Sequence, residues 1–151
     1  MGKINWGRVL LGGVLFAVVY NIIVASAWFL FLRDGWLPAL AALGPSFQKS
    51  PEMLESMGFR GLYLLLTLAA GIFAIWLYAA IRPRYGPGPK TAAGAGLALW
   101  VGGVLLPTLA WDKLVPLPGQ LVASDLTVML IAAMAATIVG AWPYQEGPTG
   151  A

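Results

Sequence analysis

Few residues in this chain have the chemistry to act on anything, and the first of them is Asn21. It is a lone carboxamide in the middle of an uncharged apolar run, beside Tyr20. An amide in such surroundings has two uses. It contacts a substrate or ion in a cavity, or it makes one hydrogen bond to a neighbouring helix, worth about 0.6 kcal/mol on average. The second candidate group is Arg82, Arg84 and Lys90, three cations around the turn Gly86-Pro87-Gly88-Pro89 with no acid among them. They suit a lipid phosphate or serve as anchors that set membrane orientation. No Gly-Lys-Ser/Thr ending follows the glycines, so this is no nucleotide phosphate loop. Asp112-Lys113 and Asp125 form a third group. Placed on the outside, they offer an exposed ion pair worth about 0–1 kcal/mol. Thr67, Thr108, Thr127 and Thr137 can bond back to their own helices.

What is missing narrows the chemistry further. There is no histidine and no cysteine. Without them the chain lacks the commonest metal ligand, the side chain that titrates unperturbed near neutral pH, thiolate sites and disulfides. No nucleophile–base pair is visible. The expectation is a non-enzymatic protein with no catalytic residues, no metal and no cofactor.

The elements that must position these residues are dictated by composition. Of 151 residues, 60% are hydrophobic and 10% charged, with mean hydropathy +0.81. A soluble domain carries about 25% charged residues. The apolar residues also fall in runs long enough for a bilayer. An all-α fold follows: a single membrane domain over 1–151, built as a four-helix transmembrane bundle with spans at about 9–32, 61–81, 92–111 and 125–142. Ala25-Ser26-Ala27 resembles a signal cleavage site, but Trp28-Phe29-Leu30-Phe31-Leu32 carries the apolar run past it, too long for a signal h-region. The net charge of +3 is not gathered into a basic tract with interleaved aromatics, so no nucleic-acid partner is expected.

Punctuation between the spans sets further expectations. Ser50-Pro51-Glu52 has the order of a helix start, which predicts a short interfacial helix from Pro51 to Met57 in the first external loop, ended by Gly58. Pro83 should stop the second span, Thr91 should cap the third, and Pro107 should kink or end it. Ser124-Asp125 should start the fourth. On this reading no Asp, Glu, Lys or Arg lies inside any span, which argues against proton- or voltage-coupled machinery. The tail from Tyr144 should fray.

Orientation follows from lysine and arginine. Short cation-rich segments stay in the cytoplasm, so the head (Lys3, Arg8), the second loop (Arg82, Arg84, Lys90) and both termini are expected inside. Trp6, Trp76, Tyr78, Tyr85, Trp142 and Tyr144 would then form an inner aromatic belt. Trp28, Trp36, Phe59, Tyr63 and Trp111 would form an outer one, leaving Trp100 at mid-depth. Small residues recur at helical spacing on every span: Gly13, Ala17, Asn21 and Ala25; Ala70, Gly71 and Ala74; Gly94, Ala98 and Gly102; Ala132, Ala136 and Gly140. Such stripes let helices approach closely where lipid supplies no hydrophobic drive. Gly12-Gly13-Val14-Leu15 recurs as Gly102-Gly103-Val104-Leu105, a likeness too short and too common in type to establish a repeat.

The segment Tyr78-Ala79-Ala80-Ile81-Arg82-Pro83-Arg84-Tyr85-Gly86-Pro87-Gly88-Pro89-Lys90-Thr91-Ala92, with Ile4-Asn5-Trp6-Gly7-Arg8-Val9 at the head, resembles an uncharacterised group of small bacterial four-span membrane proteins. The resemblance implies a multi-pass protein of the bacterial cytoplasmic membrane. It implies no activity and no site residues. The leading expectation is a scaffold or accessory subunit whose partners are the lipid bilayer and itself or another membrane protein. The alternative is a passive transporter of lipid or small solutes that uses a site near Asn21.

Overall fold

In the computed structural model, residues 4–44, 52–53, 56–112, 114–115 and 117–146 are described. Among them there is no strand, and four helices are long and apolar enough to cross a membrane. They are α1 (Trp6–Ala42), α2 (Met57–Tyr85), α3 (Pro89–Asp112) and α4 (Gly119–Ala141).

Each helix is longer than its apolar run, and each discrepancy has a local cause. α1 starts at an N-cap, where the Asn5 side chain accepts from the Arg8 N–H at 3.2 Å. It does not stop at Arg33. A π turn over Trp28–Leu32 leads directly into a further helical stretch, Arg33–Ala42. Charge at Arg33-Asp34 marks where a side chain no longer suits hydrocarbon. It removes no backbone hydrogen bond, so the helix continues. At α2 the working cap is Ser56, whose Oγ accepts from the Phe59 N–H at 3.2 Å. Of the expected interfacial helix over 51–57, positions 51, 54 and 55 lie outside the described residues. Glu52 and Met53 are helical, while Gly58, expected to end it, lies inside α2.

Pro83 does not stop α2 either. It forfeits one donor near the end of the helix, and the ladder closes beyond it, with the Gly86 N–H donating to the Arg82 carbonyl at 2.8 Å. The true stop is Gly86, at φ +83°, a backbone region that excludes side chains. α3 begins with Pro89 at its first position after Gly88, as fixed proline φ favours. Thr91 is therefore not the cap. Its hydroxyl donates to the Gly86 carbonyl at 2.8 Å and straps the turn to the new helix. Pro107 does not end α3. A π turn at Val101–Leu105 precedes it, and the helix runs on to Asp112. The widened turn includes Gly103, whose carbonyl the proline ring would otherwise crowd.

Neighbours in sequence are neighbours in space. α1 packs on α2 and α4, α3 packs on α4 and α2, and α1 and α3 stand diagonally. Three backbone crossings hold this square. A Cβ on Gly71 would come within 2.6 Å of the Gly13 carbonyl, one on Gly140 within 2.6 Å of the Gly12 carbonyl, and one on Gly96 within 2.7 Å of the Ala133 carbonyl. The stripe expected on α3 is not the packed one: a Cβ on Gly94 or Gly102 meets nothing within 4 Å, and Ala92, Ala95 and Gly96 face inward instead. Gly12-Gly13 and Gly102-Gly103 thus sit in unlike surroundings.

Alanines make up much of the core, around a few large residues such as Phe16 and Ile75, while many large apolar side chains lie outside. Ala74, Ala95, Ala132 and Ala136 are fully buried, while Leu30, Leu65 and Ile131 are more than half exposed. That distribution suits a lipid solvent.

The two ends of the square differ. At the end that carries the Gly86-Pro87-Gly88-Pro89 turn between α2 and α3, the hinge, Tyr144 is buried rather than frayed. Its ring meets Tyr78 edge-on at 5.9 Å, its hydroxyl accepts from the Asn5 N–H at 3.4 Å, and Arg8 donates to the neighbouring Pro143 carbonyl at 3.2 Å. Residues 147–151 lie outside the described part. At the opposite end, the extension of α1 crosses the start of α4, so close that a Cβ on Gly35 would come within 2.8 Å of Leu121.

Candidate functional site: a cavity between the four helices

Beneath that extension lies a partly open cavity of about 570 Å³. All four helices contribute to its wall. α1 supplies Phe16 and Tyr20 from its middle and Trp36 from its extension. α2 supplies Tyr63, Thr67 and Ala70. α3 contributes Trp100, Thr108, Trp111 and Asp112, and α4 contributes Asp125 and Met129. The wall is mostly apolar with a few convergent polar groups, the composition of a ligand site.

The geometry of these residues follows from their helices. Tyr20 stacks on Phe16 one turn earlier, with ring centroids 5.5 Å apart. Tyr63 of α2 and Asp125 of α4 line the same space as Tyr20. Trp100 donates from Nε1 to the Leu126 carbonyl of α4 at 3.0 Å, which fixes the indole as one wall. Pro107 and the π turn before it belong to the same wall. Trp36 was expected in an aromatic belt but faces this space, and its buried Nε1 has no hydrogen-bond partner.

Asp125 corrects a central expectation. α4 starts at Gly119, so the carboxylate lies past the first turn of a candidate span instead of at its start. Ser124 is likewise helical, its Oγ donating to the Gln120 carbonyl at 2.9 Å. Asp125 thus lies within a helix long and apolar enough to cross a membrane, as do Arg33 and Asp34 in α1, Arg60 and Arg82 in α2 and Asp112 in α3. The available signal was Pro118-Gly119, since helices commonly begin at such punctuation. Asp112 closes α3 on the same cavity. Lys113, its expected ion partner, lies outside the described residues. Among those described, neither aspartate has an ion-pair partner.

The residues proposed from sequence are divided by the structure. Tyr20 lines the cavity, while its neighbour Asn21 turns to the α1–α2 seam. Asn21 Nδ2 donates to the Ala17 carbonyl at 2.8 Å and to Thr67 Oγ1 at 2.9 Å. Thr67 in turn donates to the Leu64 carbonyl at 3.0 Å. At the hinge end the three cations also part. Arg82 lies over the Tyr144 ring at 5.6 Å and 3.8 Å from Glu146, beside a smaller cavity of about 340 Å³. Arg84 and Lys90 remain exposed. No group of three or more metal-ligating side chains occurs among the described residues.

No protein-family model matches this sequence, and neither the curated proteins nor the solved structures include a match to it. Four helices long and apolar enough to cross a bilayer are consistent with a multi-pass membrane protein, and the site's own geometry must carry the functional argument.

Proposed function

We propose that this is a non-enzymatic protein of the bacterial cytoplasmic membrane that admits a small, largely apolar ligand to the cavity beneath the α1 extension, in a carrier or passive transport role. The supporting observation is the cavity itself: about 570 Å³, walled by all four helices and partly open. Close-packed interiors hold few voids of such size. Relative to the transporter reading from sequence, the site moves from Asn21 to the Tyr20 side of α1.

The head, the hinge and both termini are proposed to face the cytoplasm, with the cavity toward the outer leaflet. Lysine and arginine placement supports this orientation. The likeness of the head and hinge to small bacterial four-span proteins supports the membrane. Arg84 and Lys90 serve here as headgroup and topology anchors, while Arg82 ties α2 to the C-terminal segment.

The test uses protein in nanodiscs and the neutral probe triphenylphosphine oxide. Binding should shift the tryptophan emission saturably, because Trp36, Trp100 and Trp111 line the cavity, and Ala70→Phe should abolish the shift by filling it. An undiminished response in Ala70→Phe would overturn the assignment.

A second reading, as a subunit packed against itself or another membrane protein, is favoured by α3. Only 17% of its apolar window is buried, against 28–33% for the other helices, and Gly94 and Gly102 have open space around them. Close approach of another helix to that face fits small-residue packing.

A further inference from the structure

Resting on the reading of the cavity as a ligand site, we infer that its occupant is an organic cation with aromatic or other bulky apolar substituents. The charged residues in the described wall are Asp112 and Asp125, and no lysine or arginine joins them. They come from different helices, one closing α3 and the other on the second turn of α4, so the fold and not the sequence brings them to one space. Neither has an ion-pair partner among the described residues.

A carboxylate facing an apolar space is costly unless it is paired. With no cation supplied by the described wall, a positively charged ligand is the natural counterion. An anion would meet two like charges, and a neutral guest would leave both unpaired. The rest of the wall suits the same guest. Phe16, Tyr20, Trp36, Tyr63, Trp100 and Trp111 present aromatic rings, whose faces attract cations by about 0.5–2 kcal/mol each when well placed. The apolar remainder accommodates hydrocarbon substituents. A compact hydrophilic cation such as a metal ion would be poorly served, since aromatic and aliphatic groups replace the oxygens it needs.

Tetraphenylphosphonium and tetraphenylborate share one shape and carry opposite charge, which isolates the contribution of the carboxylates. Their affinities for the protein in nanodiscs, corrected for empty nanodiscs, should favour the phosphonium. Asp125→Asn should reduce that preference about tenfold, a modest share of a close charge pair at protein dielectric, and adding Asp112→Asn should reduce it further. Retained binding of triphenylphosphine oxide by the Asp125→Asn protein shows that the variant keeps a folded cavity. A preference unchanged by Asp125→Asn, or equal binding of the two ions by the parent protein, overturns the inference while leaving the cavity reading in place. Failure of all three probes to bind overturns both.

Discussion

Asn21 and Asp125 are a carboxamide and a carboxylate carried by helices of membrane-spanning length, and their surroundings are opposite. Asn21 is satisfied at short range, by Ala17 on its own helix and Thr67 on the next. A hydrogen bond of this kind contributes under about 1 kcal/mol in a membrane protein. Asn21→Leu should therefore lower unfolding free energy by less than about 1 kcal/mol in a detergent denaturation titration, and should leave triphenylphosphine oxide binding intact. Loss of probe binding would return Asn21 to the site. The sequence exposes Asn21 by type, but its partner lies 46 positions away, and spacing along one helix does not predict a cross-helix contact. Tyr20 was legible as a polar handle next to Asn21. Asp125 was not, because its role depends on where α4 begins. A residue at the start of a helix and a residue in its second turn have the same letter and different neighbours.

At the scale of the helix, four long apolar runs and their order are readable because a bilayer imposes a length on each. The ends are less readable. Charges at Arg33-Asp34 and at Asp125 mark the edge of hydrocarbon-compatible sequence, whereas backbone hydrogen bonding ends only where geometry stops it, as at Gly86. Prolines at positions 83 and 107 were overweighted for the same reason: one lies in a last turn, the other after a widened turn that makes room for it. The small-residue stripes were visible on every span, but composition alone did not say which face was used. Gly71 is on a used face. Gly71→Val should cost about 1–3 kcal/mol, the usual penalty for overpacking, because the new side chain starts 2.6 Å from the Gly13 carbonyl. Gly102→Ala should be neutral or stabilising by up to about 1 kcal/mol, since a methyl group there meets nothing and alanine favours helix. Thermal midpoints of the purified variants would compare the two. Equal losses would contradict the assigned faces.

For the molecule as a whole, many large apolar side chains are exposed along the flanks, alanines fill much of the interior, and an aspartate-bearing cavity sits at the end opposite the hinge. These features fit a surround of lipid along the flanks and water at both ends. The chain has no cysteine, so single cysteines can report each end without interference. The decisive measurement is labelling of Lys90→Cys and Leu114→Cys, one at each end of α3, with a membrane-impermeant maleimide in intact cells and again after lysis. Leu114→Cys should label from outside in intact cells, and Lys90→Cys only once the membrane is opened. Labelling of both positions from the same side would mean that α3 does not cross the bilayer, and the account would fail.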